Sequence, residues 1–251
     1  MNKKYIILTG AGGFLGSFYT KELSKFFKVI ALDVNKKSLQ KLKKIKNVMT
    51  FYLDVCKENE IKNLFNYLKS KKIVVYGLIN NATIDSVPNL KSKNKYPNLE
   101  TWDIELNVGL KGAYLMTKYF GEKMRKNKKG TIINIGSDLS VIAPNQKIYK
   151  KAYGKFIKPV TYSVIKHGLY GMTKYFSSLY AESGVNVNML SPGSIYNNHK
   201  KTFLYELNKL IPMKRMGKKK DLTSSLMLLL DENNNYMTGQ NIIVDGGRTI
   251  I

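Results

Sequence analysis

Cysteine occurs once in this 251-residue chain, tryptophan once, histidine twice and proline six times. The lone thiol, Cys56, excludes an intrachain disulfide framework and reads as a small, partly buried apolar residue. His167 and His199 stand apart from each other and from the cysteine, so spacing assembles no metal site. Neither histidine accompanies a serine at a nucleophile elbow, which removes triad hydrolases of that type. No stretch reaches the roughly 18 apolar residues of a membrane-spanning helix. The N-terminus enters an apolar strand and a glycine turn without a signal-peptide pattern, and a soluble cytoplasmic protein is expected. No repeat, low-complexity tract or linker divides the chain, so one domain over 1–251 is expected.

Acidic residues are scarce too: 17 against 42 lysines and arginines, a net charge of +25. Arginine stands only at Arg125, Arg215 and Arg248; the rest of the basic excess is lysine, spread through nearly every segment. Nucleic-acid interfaces favour arginine for its bidentate contacts. With no helix-turn-helix, zinc-finger or RNA-platform motif, the charge reads as compositional bias with no specific nucleic-acid partner. Weak, salt-sensitive polyanion binding is still expected.

What the chain does have is alternation. Apolar runs near 4–9, 28–32, 49–53, 73–80, 131–136, 185–190 and 240–245 read as strands, with helical stretches between them. This order predicts an α/β fold, a doubly wound parallel sheet (Rossmann fold) of about seven strands with helices on both faces. After the first strand comes Thr9-Gly-Ala-Gly-Gly-Phe-Leu-Gly16. Such a turn lets backbone approach a pyrophosphate, and the helix that follows offers free N–H groups and a partial positive charge. The second strand ends in Asp33, an acid about 20 residues beyond the glycines, placed to bond ribose hydroxyls. Together these features predict a dinucleotide site over Thr9, Gly10, Gly12, Gly13, Phe14, Leu15, Gly16 and Asp33. Tyr162 and Lys166 lie one helical turn apart and share a face. A free tyrosine has a pKa of about 10. A neighbouring ammonium favours the phenolate, which would make Tyr162 a general acid/base near neutral pH.

With these residues in place the chain resembles a short-chain dehydrogenase/reductase of the compact oxidoreductase type, over nearly its whole length. Asp54 and Val55 resemble the family's adenine contact. Asn80-Asn81-Ala82-Thr83 resembles its Asn-Asn-Ala-Gly signature, with Thr83 in place of glycine. Asn107, Ser137, Tyr162 and Lys166 match its four catalytic positions, and Tyr162 and Lys166 also face the cofactor. The segment from Ser191 resembles the nicotinamide loop, with Pro192, Gly193, Ile195 and Asn197 as cofactor contacts; Asn197 stands where the family often has threonine. The glycine turn, by contrast, has the form of the family's extended members. The resemblance implies NAD(P)-dependent interconversion of an alcohol and a carbonyl. In it Tyr162 transfers the proton, Ser137 holds the carbonyl oxygen, Lys166 lowers the tyrosine pKa and holds the nicotinamide ribose, and Asn107 fixes a water. Asp33 predicts a preference for NAD(H) over NADP(H), with Lys36 and Lys37 close enough in sequence to complicate it. A homodimer or homotetramer through helices 99–126 and 160–182 is also implied.

The interval from Ser137 to Tyr162 exceeds the family's common spacing by about a dozen residues, by analogy. The excess falls within 145–159, and the stretch from Phe156 to Ser163 is similar to dehydrogenases called flagellin modification protein A, associated with surface-sugar pathways. This insert carries Lys147, Lys150, Lys151, Lys155 and Lys158 alternating with Tyr149, Tyr153 and Phe156. Lysine ammonium groups and aromatic faces suit an anionic, sugar-type substrate, with Tyr149, Lys150, Lys151, Tyr153 and Lys155 as its contacts. A solvated loop in a lysine-rich chain is the plainer alternative. A further substrate-side segment is expected near 197–217, where Met213 and Met216 serve either packing or substrate contact. Two other functions remain open: a 3-oxoacyl-carrier-protein-type reductase, for which a basic surface suits an acidic carrier, and a dinucleotide-binding sensor or scaffold without turnover.

Overall fold

The computed structural model describes residues 4–85 and 96–251. Seven strands form one parallel sheet: β1 (Tyr5–Thr9), β2 (Lys28–Asp33), β3 (Val48–Tyr52), β4 (Val75–Asn80), β5 (Gly130–Ile135), β6 (Val185–Pro192) and β7 (Asn241–Val244). Their order is β3-β2-β1-β4-β5-β6-β7. The inner strands are buried almost throughout, whereas the edges β3 and β7 are half-buried, except for the exposed Tyr52 at the end of β3. Apolar runs rather than polar alternation follow from that, because helices cover both faces of the sheet.

Alternate strand residues feed two cores. Ile7, Ile30, Leu78 and Ile132 face α3 (Glu58–Ser70), the long helix 99–126 and α8 (Val160–Tyr180). Ile6, Val29, Ile79 and Ile133 face α1 (Phe14–Leu23) and α10 (Thr223–Leu230). A shorter helix, α2 (Lys36–Leu42), follows β2, its first turn capped by the Asn35 side chain. Strand order reverses direction between β1 and β4, the position at which open parallel sheets form a crevice at their carboxyl ends.

The expected helix 99–126 is continuous but not uniformly α. It comprises α4 (Leu99–Leu106), a π segment (Asn107–Lys111), α5 (Gly112–Met116), a second π segment (Thr117–Gly121) and α6 (Glu122–Lys126). Gly168 of α8 closes on this helix: a Cβ there would lie 2.8 Å from Leu110, while one at Gly171 would meet open space.

The insert is structured. Its residues form α7 (Gln146–Tyr153), which packs on α9 (Lys201–Lys209) from the 197–217 segment. Ile148, Ala152, Tyr153, Phe203, Leu207, Ile211 and Met216 make a small third core there. Met216 packs in this core and also lines the cleft, while Met213 is exposed.

Candidate active site

A cleft of about 1050 Å³ opens at the carboxyl ends of the strands. The first βα turn forms one wall. Gly10 has φ +62°, and a Cβ there would lie 2.8 Å from Ala82 Cα, so only glycine fits between β1 and the turn after β4. The Gly12 N–H donates to Asp33 Oδ2 at 2.8 Å, and the Asn35 N–H donates to Asp33 Oδ1 at 2.8 Å. Asp33 is thereby fixed at the cleft edge beside the glycines. Gly13 caps α1 without a side-chain partner for the first-turn N–H groups.

Asn81 and Thr9 stitch β1 to β4. The Thr9 hydroxyl accepts the N–H groups of Asn81 and Ala82, each at 3.0 Å, and the Asn81 amide donates to the carbonyls of Thr9 and Gly10. Thr9 and Gly16 do not line the cleft; both are buried supports of the turn. The remaining predicted cofactor residues do line it: Gly10, Gly12, Gly13, Phe14 and Leu15 on the turn, Asp54 and Val55 after β3, Asn81, Ala82 and Thr83 after β4, and Pro192, Gly193, Ile195 and Asn197 after β6. Buried Thr83 Oγ1 has no hydrogen-bond partner, a polar atom left for a ligand. Uncapped helix N–H groups, a glycine cradle and an unpaired hydroxyl fit a dinucleotide.

Asn107, Ser137, Tyr162 and Lys166 line the same cleft. Asn107 begins the first π segment, a distortion often found at functional sites. Ser137 stands two residues beyond the end of β5, and Tyr162 and Lys166 lie near the start of α8. The Lys166 ammonium donates to the Ile135 carbonyl at 2.9 Å and lies 5.5 Å from the Tyr162 ring centroid. A buried amide chain holds α8 to the sheet: Asn80 Nδ2 donates to Asn134 Oδ1 at 2.9 Å, and Asn134 Nδ2 donates to Thr173 Oγ1 at 2.9 Å.

Burial dominates the electrostatics here. It pushes the Tyr162 hydroxyl well above its usual range, Asp85 adds to that, and a hydrogen bond with Ser137 pulls the other way. Burial lowers Lys166 to about 8, with Asp85 opposing and Lys158 assisting. The depression of Tyr162 expected from its neighbouring lysine is therefore not found in this structure, where burial holds the hydroxyl above its usual range. The Ser137 hydroxyl donates to Asp138 Oδ1 at 2.8 Å, and Arg248 pairs with Asp138 Oδ2 at 2.5 Å. Both charged side chains of that pair are almost fully buried. Rotation about the Ser137 Cβ–Oγ bond can redirect its proton toward a substrate oxygen.

The insert divides in two. Tyr149 and Tyr153 line the cleft with Phe156 and Lys158. Lys150, Lys151 and Lys155 do not: they are exposed on the outer side, and Lys151 pairs with Glu206 of α9. Within α7 (Gln146–Tyr153) its amphipathic packing on α9 explains this division, since the Tyr149 and Tyr153 rings turn inward while Lys150 and Lys151 remain in water. Sequence reasoning missed Asp85, Asp138, Arg248, His199 and Phe203, which also line the cleft. His199 stacks on Phe203 with centroids 5.3 Å apart, and burial lowers its pKa. Among the described residues no group of three or more histidine, cysteine or acidic side chains could hold a metal ion, and no helix is long and apolar enough to cross a membrane.

The family described as enoyl-(acyl carrier protein) reductase matches residues 26–249. A 3-oxoacyl-[acyl-carrier-protein] reductase, FabG, of Buchnera aphidicola (subsp. Baizongia pistaciae) is 32% identical, covering 98% of this chain and 97% of that protein. An NAD-dependent glycerol dehydrogenase of Listeria innocua is 28% identical over 98% of this chain and 94% of its own length. Among solved structures, a short chain dehydrogenase from Leptospira borgpetersenii with bound NAD+ superposes with a TM-score of 0.86 at 29% identity, covering 99% of this chain and 94% of that one.

Proposed function

Since the chain belongs to the short-chain dehydrogenase/reductase family and is an NAD(P)-dependent oxidoreductase, we propose that it interconverts an alcohol and a carbonyl on a small, anionic, sugar-type substrate. The observation that carries this reading is the convergence of Asn107, Ser137, Tyr162 and Lys166 on one cleft, beneath a roof of Tyr149, Tyr153, Phe156 and Phe203. A bound nicotinamide supplies or accepts the hydride. Tyr162 gives the carbonyl oxygen its proton, or takes the alcohol's, and Ser137 hydrogen-bonds that oxygen as charge develops. Lys166, its ammonium held by the Ile135 carbonyl, supports the tyrosine and would hold the nicotinamide ribose, and Asn107 on the same wall would fix a water that passes the proton between Lys166 and solvent. Aromatic walls suit the apolar faces of sugar rings, and the insert's similarity to surface-sugar enzymes supports flagellin-modification chemistry.

NAD(H) is the preferred cofactor in this reading. What supports this is the Asp33 carboxylate at the cleft edge beside the glycine turn: an acid there would accept ribose hydroxyls and repel a 2′-phosphate. Lys36 stacks on Tyr52 instead, 5.3 Å from its centroid, and neither Lys36 nor Lys37 lines the cleft. Asp33→Ala should therefore narrow the preference by raising kcat/KM with NADPH. An unchanged NADPH preference in the wild type and in Asp33→Ala would assign selection to the lysines.

A second reading has support of its own. The matched reductases act, by their names, on acyl groups of a carrier protein, and the outward lysines of α7 would face an acidic carrier. Exposed Val160, Val164 and Leu179 on α8 and Ile104 on α4 suit a homodimer or homotetramer interface. The deciding experiment is a turnover screen with NAD(H) and NADP(H) across keto-sugars, phosphosugars, nucleotide sugars, polyols and acyl thioesters. Selective reduction of acyl thioesters would replace the sugar reading; cofactor binding without turnover of any class would favour a sensor.

A further inference from the structure

Among the described residues, Lys158, Lys166, Lys200 and Arg248 are the lysines and arginines that line the cleft, and Lys158 is a buried one that the proton-transfer chemistry does not employ. Lys158 lines the cleft and is only 8% exposed. Its backbone is clamped by the first residue of α7: the Lys158 N–H donates to Gln146 Oε1 at 2.9 Å, and Gln146 Nε2 donates to the Lys158 carbonyl at 3.0 Å. The ammonium lies 4.0 Å from the centroid of the Tyr162 ring, so it and the reacting hydroxyl flank one aromatic ring. Its counter-ion is Asp85, from the turn after β4.

The two partners are unequal. The Lys158 side chain is 9% exposed and the Asp85 side chain 54%. A buried ammonium is costly when left unpaired, whereas a half-exposed carboxylate released to water loses little. Of the other cleft cations, Arg248 is committed to Asp138 and Lys166 to the Ile135 carbonyl, while Lys200 is exposed, its ammonium 5.3 Å from the Tyr153 ring centroid, and meets an anion already in water. Among the described residues, Lys158 is thus the buried cleft cation whose partner can be exchanged.

We propose that Lys158 determines substrate specificity: its ammonium receives a carboxylate or phosphate carried by the substrate, which takes the place of Asp85. The proposal rests on the oxidoreductase reading only for where the substrate lies. Lysine suits the task because a point charge with three rotatable donors accepts either anion. A substrate bearing its own anion restores the ion pair. A neutral analogue leaves Asp85 in the cleft and is discriminated against.

The test is calorimetric titration with inorganic phosphate and with malonate as probes, with and without NAD+, at ionic strength fixed with chloride. Lys158→Met should weaken binding of the probes about tenfold or more, the scale of a hydrogen bond to a charged group. Lys158→Arg should retain binding within about threefold, since it keeps the charge. Asp85→Asn should tighten binding by removing the competing carboxylate. NAD+ affinity should be the same in all three variants, and the more tightly held probe identifies the anionic group. No saturable binding to the wild type, or equal binding to wild type and Lys158→Met, overturns the proposal and assigns anions to surface lysines. These titrations read no turnover, so a silent substrate screen would sink the oxidoreductase substrate class while leaving this result standing.

Discussion

The sheet and the α7–α9 roof build the two halves of one cleft by different means. In the sheet, Ile7, Ile30, Leu78 and Ile132 are fully buried, and strand register alone sets where Gly10, Asp33, Asn81, Ser137 and Pro192 emerge. Backbone groups and glycines make most of that wall, so its geometry depends little on any one side chain. The roof has a small core of its own around Phe203 and Leu207, and it presents aromatic rings and Lys158 inward. Its shape depends on side-chain packing between two short helices. In the proposed reading, cofactor binding falls to the part of the molecule that cannot change without unfolding, and substrate choice to a part that can.

Six substitutions probe that division. Arg248→Ala strikes the rigid half hardest: stranding Asp138 in the interior should cost about 3–5 kcal/mol in denaturant unfolding, whereas Lys151→Ala on the outer roof should cost about 0–1 kcal/mol. Equal losses would erase the contrast. Tyr162→Phe should lower kcat by about 10²-fold or more while leaving the melting temperature and NAD+ affinity near wild type. Stopped-flow or steady-state turnover close to wild type would remove Tyr162 from the chemistry.

Leu207→Ala loosens the roof from within. It should raise KM for the substrate several-fold and spare NAD+ affinity, and its effect on global unfolding should fall short of the about 2–5 kcal/mol expected for Leu78→Ala in the sheet. Parallel losses of cofactor and substrate affinity would show the halves to be one unit. The smallest effect concerns pH. The Asp85 carboxylate raises the pKa of both Tyr162 and Lys166. Asp85→Asn removes that negative charge, so both groups release protons at lower pH. The rise of kcat/KM for alcohol oxidation, which needs the Tyr162 base form, should then move to more acidic pH. A profile that stays in place, or moves the other way, would separate Asp85 from the reacting pair.

The chain by itself determined the sheet, the glycine turn and the spacing of the reacting residues. Strands buried on both faces must be apolar runs, and 28–32, 131–136 and 185–190 are recognisable for that reason. The pair Tyr162 and Lys166 is legible because helical periodicity places them together without reference to anything distant. The π segments of helix 99–126 are not, since a shift in backbone hydrogen bonding leaves the apolar spacing almost unchanged. Nor could the insert's lysines be sorted. Lys150 and Lys151 turn outward because α7 packs on α9, whose residues follow some fifty positions later, whereas Lys158, beyond the end of α7, is turned inward by the Gln146 clamp and Asp85. Lys158 meets Asp85 across 73 positions, and Asp138 meets Arg248 across 110. Local pattern reports which face of an element is apolar; which charge a buried charge will face depends on how the elements close around the cleft, and only the tertiary structure decided that.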